Sequence, residues 1–397
     1  MRHEKRRQSV LISGAGIAGP ALAYWLDRYG YEVTVVEQFA GPRPGGHAVD
    51  VRGPALEVAR RMGVLDRIRD RRTGLRGMSA VDAEGRELFR TTERTLSGGD
   101  LDSPDIEILR DELAAIVTDA GGAGIEYVHG DSIDRLEQDA EAVRVVFRGG
   151  ARRAFDLVVG ADGVHSHTRG LVFGPEEDFL HHLGTSTAVW TAPNYLDLDR
   201  WQIVHRMPGR LWGALVMSVR CNKEVRVHVG FDWDKPPAES VARDPREQKR
   251  LIAGQFEGSG WELPRLLEYM WGAPDFHYDS MAQIRMDSWS LGRVALLGDA
   301  GYCGSPLSGQ GTSMALVGAY VLAGELRAAD GDHEAAFAAY ERELRAYVTA
   351  NQDLALTNKA VMDARDAAEL GEAEAREFAD ELGAGEDVTN SYAVRDY

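Results

Sequence analysis

Apolar positions are grouped at the start of the chain. Ser9 to Ile12 is a short apolar run, glycines interrupt at Gly14 to Gly19, and Pro20 to Tyr29 continues as an amphipathic stretch closed by Gly30. This order predicts a buried strand, a tight turn and a helix, with proline near the helix start and glycine past its end. Val33 to Glu37 reads as a second buried strand, so the segment predicts a parallel pair with a right-handed crossover. A glycine- and proline-rich loop, Gly41 to Gly46, follows.

Further on, helical spacing appears over Pro54 to Met62 and Asp111 to Asp119. Strand-like runs occupy Met78 to Asp82, Glu87 to Phe89, Glu126 to Val128, Arg144 to Phe147 and Phe155 to Val159. This half is α/β. Between about Leu183 and Met281 the texture changes to long β-like runs, Gln202 to Met207, Leu211 to Val219 and Val225 to Phe231, predicting a separate, mainly antiparallel sheet. The first texture returns at Val294 to Leu297, so the first domain is predicted to be discontinuous. Phe337, Tyr340, Leu344 and Tyr347 then recur at helical spacing, giving a long helix with one apolar face. The boundaries expected are 1–182 and 286–330 for the α/β domain, 183–285 for the inserted sheet domain, and 331–397 for a C-terminal helix and acidic tail. The tail, from Gly371, is expected to be loosely ordered.

With 397 residues the chain exceeds what one core usually supports, which fits two fused domains. A net charge of −18 makes nucleic acid and anionic lipid surfaces poor partners. The two cysteines, Cys221 and Cys303, cannot form a disulfide framework and suit a reducing, cytoplasmic setting. Arg2, Lys5, Arg6 and Arg7 before an apolar run resemble a secretory signal, but the glycines and Pro20 break that run. No stretch reaches the roughly 18 apolar residues of a membrane span. His181 and His182 are isolated neighbours, so no metal site is expected.

Gly14-Ala15-Gly16-Ile17-Ala18-Gly19 permits a tight turn, close approach to a pyrophosphate, and close packing of helix on strand. Glu37 lies 18 residues after Gly19 at the end of the second strand, where a carboxylate can hold ribose hydroxyls. On local physics the unit binds FAD or NAD equally well. A second segment, Leu157 to Gly163 with Asp162, Ser166 and Arg169, would offer a carboxylate and a guanidinium at a strand end. A third runs Gly298-Asp299-Ala300, Pro306, and Ser308-Gly309-Gln310-Gly311-Thr312 before an apolar helix. Its strand tip, glycine loop and positive helix terminus suit a flavin ring and its ribityl chain.

The ordered set GxGxxG with Glu37, GADGxxSxxR, and GDAxxxxxPxxGxG resembles the class A flavoprotein monooxygenases over about residues 8 to 350. Its nearest members would be the tetracycline-hydroxylase and polyketide- or indole-tailoring group, relatives of para-hydroxybenzoate hydroxylase. The resemblance implies a Rossmann-like FAD-binding domain in three β/β/α layers, with an inserted antiparallel β substrate domain. It implies FAD contacts at Gly14, Gly16, Ala18, Gly19, Glu37, Asp50, Arg52, Arg110, Asp162, Asp299, Pro306, Gly309, Gly311 and Thr312. Three departures stand out: Ala300-Gly301-Tyr302 for Ala-Ala-His, Ser313 for a common Asn, and Gly318 for a common Asp. They are expected beside the flavin.

The resemblance further implies reduction of FAD by NADPH or NADH, O2 addition at flavin C4a, and transfer of OH from the hydroperoxide to an aromatic or polycyclic small molecule, with no catalytic side chain. Trp201, Gln202, Trp212, His228 and Phe231 on the middle sheet are candidate substrate contacts, although aromatic residues at strand spacing pack in cores more often than they line pockets. Arg43 could attract a nicotinamide-nucleotide phosphate, or be a solvated loop arginine. The rival readings are a flavin halogenase, whose Trp-x-Trp-x-Ile-Pro segment is absent, an epoxidase or oxygen-insertion enzyme, a non-catalytic binding protein of the same fold, and a nicotinamide dehydrogenase. Either a monomer or a homodimer would serve.

Overall fold

The computed structural model describes residues 7–42, 45–207, 210–233, 244–366 and 386–397. Six strands form its central sheet, in the order Ser290–Leu291, Val294–Leu296, Leu157–Gly160, Ser9–Ser13, Glu32–Glu37 and Glu126–His129. All neighbours are parallel except the antiparallel edge at Ser290–Leu291. Both faces are covered, as a parallel sheet requires. Val10, Ile12, Val33, Val35, Leu157, Val159 and Ala295 face the helices Ala18–Arg28 and Gly311–Ala328. The alternate residues Leu11, Val36, Val158 and Val294 face a three-stranded antiparallel sheet built from Ile133–Gln138, Val143–Phe147 and Arg152–Phe155. The three layers are therefore β, β and α, as expected.

The run expected as one strand from Phe155 to Val159 divides between two layers. Asp156 makes the break by accepting from the backbone N–H and hydroxyl of Ser9 at 2.7 and 2.8 Å.

A second sheet of seven strands has the order His277–Ile284, Leu180–Pro193, Glu224–Asp232, Arg210–Val219, Gln202–Met207, Met78–Val81 and Glu87–Thr91. The last two come from the segment assigned to the first domain, and Met78–Val81 joins parallel to Gln202–Met207. The seven-stranded sheet is thus not confined to 183–285. The region also holds two helices that its strand periodicity does not predict, Pro245–Gln255 and Leu263–Gly272. Their start signals stand in the sequence: Asp244 caps Arg246 N–H, and Pro245 and Pro264 occupy first turns.

These helices cover one face of the seven-stranded sheet, enclosing Trp190, Val216, Val227, Phe231, Phe256 and Leu266. The opposite face packs Leu215, Met217 and Val219 against Leu75 and Leu109 of the nucleotide-binding layers. The long helix His333–Asp366 buries Phe337, Tyr340, Leu344 and Tyr347 as its spacing predicts. Residues 371–385 of the tail lie outside the described residues. Residues 386–397 are packed rather than loose: the Tyr397 hydroxyl donates to Glu325 at 2.8 Å, and Arg395 pairs with Glu343 at 3.0 Å.

Candidate functional site

Three turns leave the carboxyl ends of neighbouring parallel strands, where open α/β sheets place their ligands. Gly14 has φ +108°, and a Cβ there would lie 2.4 Å from the Ala161 carbonyl oxygen, so the first and second turns touch backbone to backbone. A Cβ on Gly19 would lie 1.9 Å from the Gly14 carbonyl oxygen. Gly16 differs: a Cβ there meets nothing within 4 Å of protein. Fold packing therefore demands Gly14 and Gly19 and leaves open space over Gly16.

Helix Ala18–Arg28 begins without a side-chain cap or an acidic residue in its first turn, and so does Gly311–Ala328. Their orphan N–H groups are available to a phosphate or an anionic ring. Glu37 accepts from Ala15 N–H at 2.8 Å and Phe39 N–H at 3.0 Å, which fixes its carboxylate beside the glycine turn.

The middle turn works differently from the expectation that it exposes a carboxylate and a guanidinium. Asp162 accepts from the Ser166 hydroxyl at 2.5 Å and from Thr168 N–H and hydroxyl at 2.9 and 2.8 Å, with Ser13 at 3.4 Å. Arg169 is wholly buried and donates to the carbonyls of Ala300 and Val164 at 2.9 and 2.8 Å and to Glu176 at 2.9 Å. The guanidinium points into the protein because three acceptors there compensate its desolvation. It ties the second turn to the third.

In the third turn Asp299 reaches solvent, yet the protein crowding around its carboxyl raises its pKa by desolvation. A Cβ on Gly311 would lie 3.8 Å from Asp299 Oδ1, and one on Gly298 would lie 3.3 Å from Ala18 Cβ. The first and third motifs thus share one cleft. Ser305 holds a φ of +76° just before Pro306, a conformation that L residues rarely adopt. It sets the path of the loop to Gly309, whose φ is +64°. Pro306 itself is exposed and Thr312 is buried at the helix start.

Strand Ala48–Val51 brings Asp50 and Arg52 to this cleft. The Ser313 hydroxyl accepts from Arg52 N–H at 3.1 Å and lies 3.3 Å from the Arg52 carbonyl oxygen. Arg52 pairs with Asp50 at 2.9 Å, and its Nη1 lies 3.8 Å from where a Gly309 Cβ would be. Ser313 therefore does sit at the site. The other two departures do not. Tyr302 is 1% exposed, packs tilted against Trp289 with ring centroids 4.6 Å apart and shares a 2.9 Å hydrogen bond with Tyr340. A Cβ on Gly318 would lie 2.1 Å from the Tyr302 hydroxyl. The tyrosine and the glycine pack against each other in the core.

Arg110 begins helix Arg110–Ala120, its backbone N–H donating to His47 O at 3.1 Å and its Nε lying 2.8 Å from where a Gly46 Cβ would be. Arg226 reaches the same loop, donating to Gly46 O at 3.1 Å. His47 and His228 lie among these cations. Desolvation first, then Arg110 and His277, lowers His47 to about 4; desolvation, then His47 and Arg226, lowers His228 to about 3. Both imidazoles are neutral at pH 7. His228 Nε2 is buried with no hydrogen-bond partner.

Among the substrate candidates, the alternation along each strand decides placement. Trp201 and Phe231 fall on the helix-covered face: the Trp201 indole donates to Ser79 at 3.0 Å, and Phe231 packs edge-on to Phe256. Both are packing residues, which corrects the expectation of pocket walls. Gln202 and His228 fall on the face toward the nucleotide-binding layers. Gln202 is fully buried, accepting from Leu96 N–H at 2.7 Å and donating to the Ser97 hydroxyl at 2.6 Å. The Trp212 side chain and Arg43 lie outside the described residues. Among the described residues, no three His, Cys, Asp or Glu side chains group to hold a metal, and no helix is long and apolar enough to cross a membrane.

Residues 7–355 match the family described as FAD binding domain. The chain belongs to the class A flavoprotein monooxygenases. It is 51% identical over 351 residues, 88% of this chain and 93% of the relative, to an uncharacterized protein of Mycobacterium tuberculosis. It is 42% identical over 357 residues, 89% of both chains, to a flavin-dependent monooxygenase of an unknown prokaryotic organism. The solved tetracycline destructase Tet(51) superposes with a TM-score of 0.88 at 36% identity, covering 99% of this chain and 100% of that one. The open space at Gly16, the uncapped helix ends, and the buried unpartnered Asp50 Oδ1 and Arg52 Nε fit an FAD molecule laid across the three turns. The chain is thus a flavoprotein monooxygenase enzyme.

Proposed function

We propose that the enzyme consumes NADPH or NADH and O2 to hydroxylate an electron-rich aromatic or polycyclic small molecule. One oxygen atom enters a C–H bond of the substrate, the other leaves as water, and the nicotinamide supplies the two electrons as hydride. Bound FAD supplies the redox and oxygen chemistry. The observation that carries the reading is the meeting of Asp299, Gly311 and Arg52 in one cleft.

The chain's residues bind and orient. Gly14, Gly16, Ala18 and Gly19 make room for the pyrophosphate, and Glu37 accepts from ribose hydroxyls. Asp299 serves the ribityl chain, while Pro306, Gly309, Gly311 and Thr312 shape the loop under the ring. Arg110, Asp50 and Arg52 complete the contacts, and Asp162 holds the second turn in place. His228, neutral, offers Nε2 to a substrate hydroxyl or carbonyl. The likeness to tetracycline destructases supports a fused polycycle with several oxygens as the first substrate class to try. The test is NAD(P)H oxidation by the FAD-loaded protein with tetracyclines, phenols and indoles. Product heavier by one oxygen supports the reading, and NAD(P)H oxidation yielding only hydrogen peroxide with the whole panel would remove the substrate class.

A further inference from the structure

Asp50 and Glu107 stand directly opposite each other on the antiparallel strands Ala48–Val51 and Ile106–Leu109. Side chains so placed have Cβ atoms about 4.5–5.5 Å apart. Each carboxyl has one engaged and one orphan oxygen. Asp50 Oδ2 meets Arg52 at 2.9 Å and Glu107 Oε2 accepts from the Thr73 hydroxyl at 2.6 Å, while Asp50 Oδ1 and Glu107 Oε1 are buried without partners. Arg52 Nε is also buried and unpartnered, its nearest carboxylate being Asp105 at 3.7 Å. The guanidinium reaches the Gly309 turn on one side and donates weakly to Ser97 O at 3.5 Å on the other.

Two adjacent buried carboxylates cannot both ionise cheaply. We propose that Glu107 is a positioning residue: it shares one proton with Asp50, and that proton leaves Arg52 free to turn toward the FAD cleft. When the proton is lost, a second buried negative charge holds the guanidinium back and opposes the cofactor's diphosphate. The groups facing the pair are Arg52 and Asp105 as charges, with the Thr73 hydroxyl donating to Glu107 and the Ser97 hydroxyl nearby. Desolvation, reinforced by Glu107 and Asp105 against Arg52, raises Asp50 to about 7, and desolvation raises Glu107 as well. Both shifts run in the direction that one proton held between the two carboxyls requires.

The inference rests on the placement of Arg52 in the FAD site, and the experiment separates the two. Apoprotein is titrated with FAD, following flavin fluorescence, at about pH 6 and about pH 8.5. Wild type is expected to bind about tenfold more weakly at the higher pH, one tenfold step being about 1.4 kcal/mol. Glu107→Gln, which cannot lose a proton, is expected to keep the low-pH affinity at both values, and Asp50→Asn to flatten the slope at lower affinity. Arg52→Ala is expected to weaken binding at both. A flat wild-type profile, or a Glu107→Gln profile with the wild-type slope, overturns the inference. Unchanged affinity in Arg52→Ala overturns the placement of Arg52 as well. If Glu107→Gln does not fold by circular dichroism, the wild-type slope and Asp50→Asn still decide.

Discussion

Arg169, fully buried, donates a 2.9 Å hydrogen bond to the carbonyl of Ala300, so two turns more than a hundred residues apart in sequence are joined by one side chain. Removing it strands the Ala300 and Val164 carbonyls and leaves Glu176 with His165 alone as a charged partner. Arg169→Met should lower stability by about 3 kcal/mol, and, because the third turn loosens, should weaken FAD binding as well. Urea unfolding with an FAD titration measures both, and loss of stability with wild-type FAD affinity would mean that Arg169 does not position the third turn.

The glycines separate packing from ligand room. Gly19→Ala should cost about 1–3 kcal/mol through the clash with the Gly14 carbonyl. Gly16→Ala should leave apoprotein stability within about 0.5 kcal/mol while weakening FAD binding at least about tenfold. Comparing apoprotein melting with FAD affinity for the two variants checks this, and equal FAD affinity in Gly16→Ala and wild type would contradict it.

The two neutral histidines predict acid sensitivity. Their folded pKa values lie below the unfolded value of about 6.5, so their contribution is present above that pH and is lost as pH falls toward 4 and 3. Asp50 acts in the opposite sense, its contribution being present at low pH and lost as pH rises through about 7. The test is therefore a difference: His228→Asn should lose less stability than wild type between pH 6.5 and 4. Parallel profiles would show that His228 is not buried neutral.

Phe231→Ala should cost about 3–5 kcal/mol by leaving a cavity beside Phe256, without changing FAD affinity or the product formed. His228→Ala should instead change substrate turnover. A Phe231→Ala protein of wild-type stability with altered product would reverse the face assignment of that strand.

These contrasts show what the chain made legible. The parallel strands, the turn glycines and the apolar face of His333–Asp366 follow from local demands, because period and φ are written residue by residue. The inward course of Arg169 is not local, since it depends on acceptors from Val164 to Ala300. Likewise alternation separates Phe231 from His228, but which face meets the cofactor layers depends on where Pro245–Gln255 and Leu263–Gly272 settle. The contact between Tyr302 and Gly318 is likewise not local, because each residue alone reads as a departure beside the flavin.

The central claim is oxygen transfer on FAD. FAD-loaded protein given NADPH or NADH and isotopically heavy O2, with a tetracycline-type polycycle or another electron-rich aromatic, is predicted to yield product carrying one heavy oxygen, matched to nicotinamide consumed. Oxygen derived from water, or product that requires chloride or bromide, would contradict the account.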